Sequence, residues 1–346
     1  MKAAVLKKIN EPLDVCDVEL TDLKVGQVKV RILVSGLCGA QLQEIRGLKG
    51  NAKFLPHLMG HEGCGIVEAI GAGVTKVKVG DKVVMHWRIA DGIESPFPNY
   101  ILEDKVISSG KVTTLSEYSI ASENRLTPVP EHTSDYLCAL LGCGLTTALG
   151  TINNEAKLKF GESVMIVGCG GVGLNLIQGA KLASAYPIIG IDTSDAKRHL
   201  AEIAGATKYV NILSEDLPSE LKKIGVNVID VVIDTTGNIA AFAKTVPLLS
   251  GNGRYIMVGQ PAPGESLTIP NANLMFLGHG KTIKATQGGQ TSPSDDIPKY
   301  IKLHQAGLLN IDNLITDEFH LSDINRAIEL LKSGTAGRIM IRMAQS

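Results

Sequence analysis

Residues 163–173 read Ser-Val-Met-Ile-Val-Gly-Cys-Gly-Gly-Val-Gly, a β-branched run that ends in Gly168, Gly170, Gly171, Val172 and Gly173 and then opens an apolar stretch of helical spacing. Few patterns constrain a fold as tightly. A strand that stops at one glycine and restarts as a helix at the third puts unpaired helix N–H groups at the end of a buried strand. Gly168 permits the tight turn, Gly170 lets backbone approach a pyrophosphate, and Gly173 lets the helix pack close to the strand. A second apolar run, Pro187–Ile191, then ends in Asp192. That acid lies about 20 residues past the glycines, where a ribose 2′-hydroxyl needs an acceptor and a 2′-phosphate would be repelled. The expected cofactor is therefore NAD(H), on residues 168, 170–173 and 192.

The surrounding pattern agrees. Short apolar strands at Ser163–Val167, Pro187–Ile191, Tyr209–Asn211, Val228–Asp234 and Arg254–Val258 alternate with helical spacing, as at Leu174–Ala185 and Ser194–Ala204. Continuous Val/Ile runs between helices predict a parallel sheet buried on both faces. The first third differs. Lys2–Leu6, Gln27–Ser35, Gly65–Ile70 and Lys82–His86 are short strands bounded by Gly, Pro or Asp turns, and the tail holds helices near 297–305 and 322–332 and a strand at 337–343. The expected class is α/β: a β-rich domain (1–144), a doubly wound domain (145–287), and a tail (288–346) that returns to the first. A net charge of -1 over 346 residues offers no basic field for nucleic acid. Its 44% hydrophobic content suits full cores, and no long apolar run predicts a membrane span. The N-terminus, rich in Lys with an early Pro, does not read as a signal peptide, so a cytoplasmic protein is expected.

Six cysteines lie at 16, 38, 64, 138, 143 and 169 with no C-x-x-C pair. Three glycine-flanked segments of the first domain offer soft or imidazole ligands: Cys38, His61 and Cys143. Two thiolates and one imidazole suit Zn²⁺ and leave a fourth position for water or substrate. An open zinc of this kind polarises a carbonyl or acidifies an alcohol.

Gly60-His61-Glu62-x-x-Gly65-x5-Gly71-x-x-Val74 resembles the signature of the zinc-containing alcohol dehydrogenases of the medium-chain dehydrogenase/reductase superfamily. The likeness extends through Val79-Gly80-Asp81-Lys82-Val83-Val84, Leu141-Gly142-Cys143-Gly144, the glycine turn and Leu331-Lys332-Ser333-Gly334…Gly337-Arg338. It implies a GroES-like catalytic domain beside a Rossmann domain, and zinc on Cys38, His61 and Cys143. Glu62 would be a carboxylate behind the metal, able to reach it during ligand exchange. Thr147 and Val172 would position the nicotinamide, Lys197 and Arg338 would lie near the adenosine ribose and the pyrophosphate, and Trp87 would line the substrate pocket. The implied substrate is a small alcohol or carbonyl compound, and the implied assembly a homodimer or homotetramer. The apolar stretch Leu267–Leu277 is a reasonable interface.

This chain departs from the family pattern in two ways. Residues 86–112 contain no cysteine, so one catalytic zinc and no structural zinc is expected, with a hairpin lobe in that segment. The hydroxyl that usually starts the proton relay is replaced by Ala40, the acid that braces the histidine ligand by Gln41, and the relay's terminal histidine by Gln43. Gln41 is expected to accept the imidazole N–H, and His86 is a candidate proton carrier. Loss of the relay leaves room for a sugar or polyol substrate that supplies its own hydroxyl, or for a low-turnover dinucleotide-binding sensor.

Overall fold

The structure, a computed structural model, describes residues 1–344. The chain divides into two compact units: residues 1–146, 292–333 and 338 onward form the first, and 147–291 with 334–337 the second.

The first unit is built on a mixed sheet in the order Leu126–Pro128, Lys82–His86, Glu62–Ile70, Gln27–Leu37, Arg338–Arg342 and Ile315–His320, with Tyr118–Ser122 also paired to Gln27–Leu37. The three central pairings are antiparallel, so one edge of the sheet collects the end of Gln27–Leu37 and the starts of Glu62–Ile70 and Arg338–Arg342. The end of Lys82–His86 lies there too, with Glu62 directly opposite His86. Two three-stranded sheets flank it. One of them contains the hairpin expected between residues 86 and 112: Tyr100–Leu102 pairs with Lys105–Ile107. Its two-residue turn, Glu103 and Asp104, has φ of 51° and 61°, the left-handed pair that suits the twist of a tight hairpin. Tyr100, Leu102 and Ile107 sink into a cluster with Ala3, Val5, Leu58 and Ile120, and the Tyr100 hydroxyl accepts the Ile120 N–H at 2.8 Å. Apolar burial worth roughly 1.5–3 kcal/mol per large side chain anchors this lobe.

The second unit is a six-stranded parallel sheet, ordered Lys208–Asn211, Ile188–Asp192, Val164–Val167, Ile229–Asp234, Leu249–Met257, Thr282–Ala285. Counted within the unit this is 3-2-1-4-5-6, the Rossmann order, and the expected doubly wound domain is confirmed. The order reverses beside Val164–Val167, the strand that feeds the glycine turn, and such a switch point opens a crevice at the strand ends. Met165, Val167, Ile189, Ile191, Val232 and Tyr255 form the core, where Phe242 packs edge-on against Tyr255. The expected alternation gave no bounds for the helices at Leu217–Lys223 and Ile239–Thr245, and the edge strand Thr282–Ala285 was not among the expected strands. All three are short, and the exposed strand shows little apolar alternation. Among the described residues no single helix is long and apolar enough to cross a membrane.

Candidate metal centre and dinucleotide turn

Cys38 follows strand Gln27–Leu37 and caps helix Gly39–Ile45, and His61 immediately precedes strand Glu62–Ile70. Cys143 follows helix Asp135–Leu141. The helix end reaches the sheet edge because residue 142 is glycine: a Cβ there would lie 2.3 Å from the Met85 carbonyl and 2.8 Å from the Glu62 Cα. The Cys38, His61 and Cys143 ligand atoms all lie within 4.8 Å of one another. Ligands on a tetrahedral zinc, about 2.3 Å for sulfur and 2.0–2.1 Å for nitrogen, stand a little under 4 Å apart, so the donor set and its spacing fit the ion.

The electrostatics point the same way. The hydrogen bond from Cys143 holds the Cys38 thiol well below its ordinary range against the cost of burial, and His61 adds to that effect. Burial opposes a charged His61 imidazole, but the hydrogen bond and negative charge of Cys38 outweigh it and raise its pKa. Cys143, buried and donating to Cys38, is pushed well above its ordinary range, so its proton is the one a bound metal ion would displace.

Glu62 is fully buried behind the ligands and accepts the Gly144 N–H at 3.0 Å. Its other oxygen forms a short ion pair with Arg338, whose side chain is also buried. Burial pushes the Glu62 carboxyl up, and the guanidinium pulls against it. The resemblance implied that Arg338 lies near the pyrophosphate; the structure shows its guanidinium paired with Glu62. The register explains why, since Ile339 pairs with Leu37 and places Arg338 beside Cys38. Sequence reasoning missed this pair. Buried charges demand partners, but nothing in the local sequence links residues 62 and 338.

Gln41 departs from expectation. Its Oε1 accepts the Cys38 backbone N–H at 2.7 Å, so the side-chain NH₂ faces His61, with Nε2 2.7 Å from Nδ1. The amide therefore presents a donor to the ring, where an acceptor was expected. His86 also sits in a setting unlike a proton carrier's. It is buried, its Nδ1 donates to the Arg88 carbonyl at 2.8 Å, and its Nε2 accepts from the Thr127 hydroxyl at 3.0 Å. Burial lowers its pKa to about 3, so the ring stays neutral near pH 7. Trp87 is half-buried at the strand end, stacked by Arg88.

In the second unit Gly168 has φ of 90° and helix Gly171–Leu182 starts directly after Gly170. A Cβ on Gly170 would meet nothing within 4 Å, whereas one on Gly173 would lie 1.8 Å from the Gly168 carbonyl. Open space thus faces the backbone where a pyrophosphate would approach, and the helix is packed on the turn behind it. Asp192 ends its strand; one carboxylate oxygen accepts the Cys169 N–H at 2.7 Å and the other the Thr193 N–H at 2.7 Å. The second ribose determinant from the resemblance, Lys197, is buried in the following turn, and Thr147 is buried in helix Gly144–Gly150. Val172 lies in the first turn of the glycine-led helix. The Cys169 thiol is buried and pushed upward by that burial, so it is an unreactive packing group.

Two family models match: the alcohol dehydrogenase GroES-like domain over residues 24–131 and the zinc-binding dehydrogenase over 171–306. The chain is 30% identical to alcohol dehydrogenase 6 of Peromyscus maniculatus, over 98% of this chain and 97% of that protein. It belongs to the zinc-containing alcohol dehydrogenase family. It is also 29% identical to the S-(hydroxymethyl)glutathione dehydrogenase of Paracoccus denitrificans, over 98% and 99% of the two chains. Among solved structures, the benzyl alcohol dehydrogenase of Acinetobacter calcoaceticus superposes with a TM-score of 0.89 at 26% identity, covering 99% of both chains. An alcohol dehydrogenase zinc-binding domain protein from Burkholderia ambifaria reaches 0.90 at 25%, again over 99% of both. As a family member with an intact ligand triad and glycine turn, the chain is a zinc-dependent oxidoreductase that uses NAD(H).

Proposed function

We propose that this protein transfers a hydride between NAD(H) and a small alcohol or carbonyl compound at one zinc ion held by Cys38, His61 and Cys143. The observation that carries the reading is the convergence of those three ligand atoms within 4.8 Å at one edge of the sheet. When bound there, zinc supplies Lewis acidity that lowers the pKa of an alcohol or polarises a carbonyl. Cys38 and Cys143 give the site its negative charge, and His61 completes the donor set. Glu62 is held behind the ligands by Arg338 and the Gly144 N–H, and the guanidinium offsets the negative charge of the carboxylate and the thiolates. The turn Gly168, Gly170, Gly171, Val172 and Gly173 receives the dinucleotide's pyrophosphate at the N-terminus of the helix that starts at Gly171, the Gly168 N–H being held by the Ile191 carbonyl, and Asp192 selects a 2′-hydroxyl over a 2′-phosphate. Thr147 and Lys197 are assigned to the nicotinamide and ribose by family resemblance. The alcohol's proton leaves without Ala40 or His86: the one has no hydroxyl and the other has both ring nitrogens engaged.

A sensor with little turnover has less support, because the full ligand set is assembled. An open edge strand at Thr282–Ala285, with Phe276 and Leu277 exposed nearby, supports a homo-oligomer. Six free cysteines support a reducing, cytoplasmic setting. The test is a screen of primary alcohols, secondary alcohols, polyols and their carbonyl counterparts for NAD(H) turnover, before and after chelation and zinc return. Zinc-restored turnover with one class is expected. NADH binding with no turnover on any class would contradict the proposal.

A further inference from the structure

We infer that Gln41 loosens this protein's hold on its zinc, because the helix beside the metal site claims the amide oxygen that the histidine ligand needs. The inference rests on the zinc reading above and concerns how firmly the ion is kept.

The argument is one of donors and acceptors. Helix Gly39–Ile45 has Cys38 at its N-cap and Gln41 at its third position. Gln41 reaches back so that its Oε1 accepts the Cys38 N–H at 2.7 Å, satisfying a buried backbone donor next to the metal. A backbone N–H donates only to an acceptor, so this contact fixes which end of the amide is oxygen. The NH₂ end is left 2.7 Å from His61 Nδ1. That contact is favourable only while Nδ1 carries no proton.

A neutral imidazole that ligates through Nε2 carries its proton on Nδ1 and must donate it. In this chain the proton would meet another donor. If the amide turns over, its oxygen can serve His61, but its NH₂ then confronts the Cys38 N–H. Either way one buried donor goes unsatisfied when the ion binds, and Gln41 itself is fully buried, so water is a poor substitute. A carboxylate of the same length has an acceptor at each end and could serve both neighbours together. The cost of Gln41 therefore falls on the metal-bound state, in which a proton on Nδ1 is obligatory.

The experiment is a zinc competition against a chromophoric chelator on the wild-type chain and the Gln41→Glu variant, with melting curves of both metal-free forms. Gln41→Asp serves as a second acceptor variant if Gln41→Glu fails to fold. The expected result is zinc held at least ~10-fold more tightly by the acceptor variant, the scale typical of partners behind metal ligands. The metal-free variant is expected to melt no higher than wild type, which separates metal binding from a better helix cap. Unchanged or weaker zinc binding, or a tighter hold matched by an equal rise in metal-free stability, would overturn the inference. A wild-type chain that takes up no zinc would instead remove the zinc reading on which it stands.

Discussion

The candidate metal centre brings together residues 38, 61 and 143 from three separated segments, whereas the glycine turn is one unbroken hexapeptide, 168–173. The first is made of side chains and buried charge: two thiols, an imidazole, and a Glu62–Arg338 pair beneath them. The second is made of backbone, and its side chains matter chiefly by being absent. A site of the first kind fails when a functional group is removed. One of the second kind fails when an atom is added. The two should therefore break independently, each under the opposite kind of substitution.

The largest effect is expected from deleting a ligand. Cys143→Ser should strip the zinc and reduce turnover by roughly 10³-fold or more, the scale of several kcal/mol of lost Lewis-acid stabilisation. NADH binding, followed by fluorescence titration, should stay near wild type. Loss of both together would mean the two sites are not independent. Glu62→Gln comes next: it removes the carboxylate that pairs with the buried Arg338 guanidinium, a change that costs up to about 3–5 kcal/mol. Denaturant melts should show it, and a melt within error of wild type would show that the pair holds nothing together.

The converse substitution is Gly173→Ala. Its added Cβ must displace the Gly168 carbonyl, which stands 1.8 Å from the ideal Cβ position. Overpacking of this kind costs about 1–3 kcal/mol, so NADH affinity should fall roughly 10- to 100-fold while zinc content is unchanged. An effect absent near pH 7 and expressed only on acidification belongs to His86, opposite Glu62. Its folded pKa of about 3 lies below the unfolded 6.5, so the unfolded chain binds the extra proton between those values. Its contribution to stability is fully present above about pH 6.5 and is lost as pH falls toward 3, by up to about 1.4 kcal/mol per pH unit. His86→Phe should flatten that part of the stability–pH curve; an identical slope would show that His86 is not buried in neutral form.

The same contrast explains what the sequence made legible. Gly168–Gly173 could be read outright because a contiguous backbone motif carries its geometry in its spacing, and Asp192 followed from the length of one strand-helix-strand unit. Cys38, His61 and Cys143 were legible as residue types beside glycines, and family resemblance joined them. The Arg338–Glu62 pair was not legible because it depends on strand register across the whole chain, which no local pattern encodes. Gln41 and His86 were read by side-chain type alone. Their roles turn on which neighbour reaches them first: the Cys38 N–H for Gln41, and the Arg88 carbonyl and Thr127 hydroxyl for His86. The lobe at 86–112 was foreseen as a hairpin from its turn residues, while its anchoring through Tyr100 and Ile107 depends on the distant residues Ala3 and Leu58.

Zinc K-edge absorption on the purified chain, with metal content measured on the same sample, addresses the metal centre without relying on turnover. The account predicts one zinc per chain, with two sulfurs near 2.3 Å and the remaining ligands nitrogen or oxygen near 2.0–2.1 Å. A sample with no zinc, a four-sulfur shell, or a shell of nitrogen and oxygen alone would contradict it.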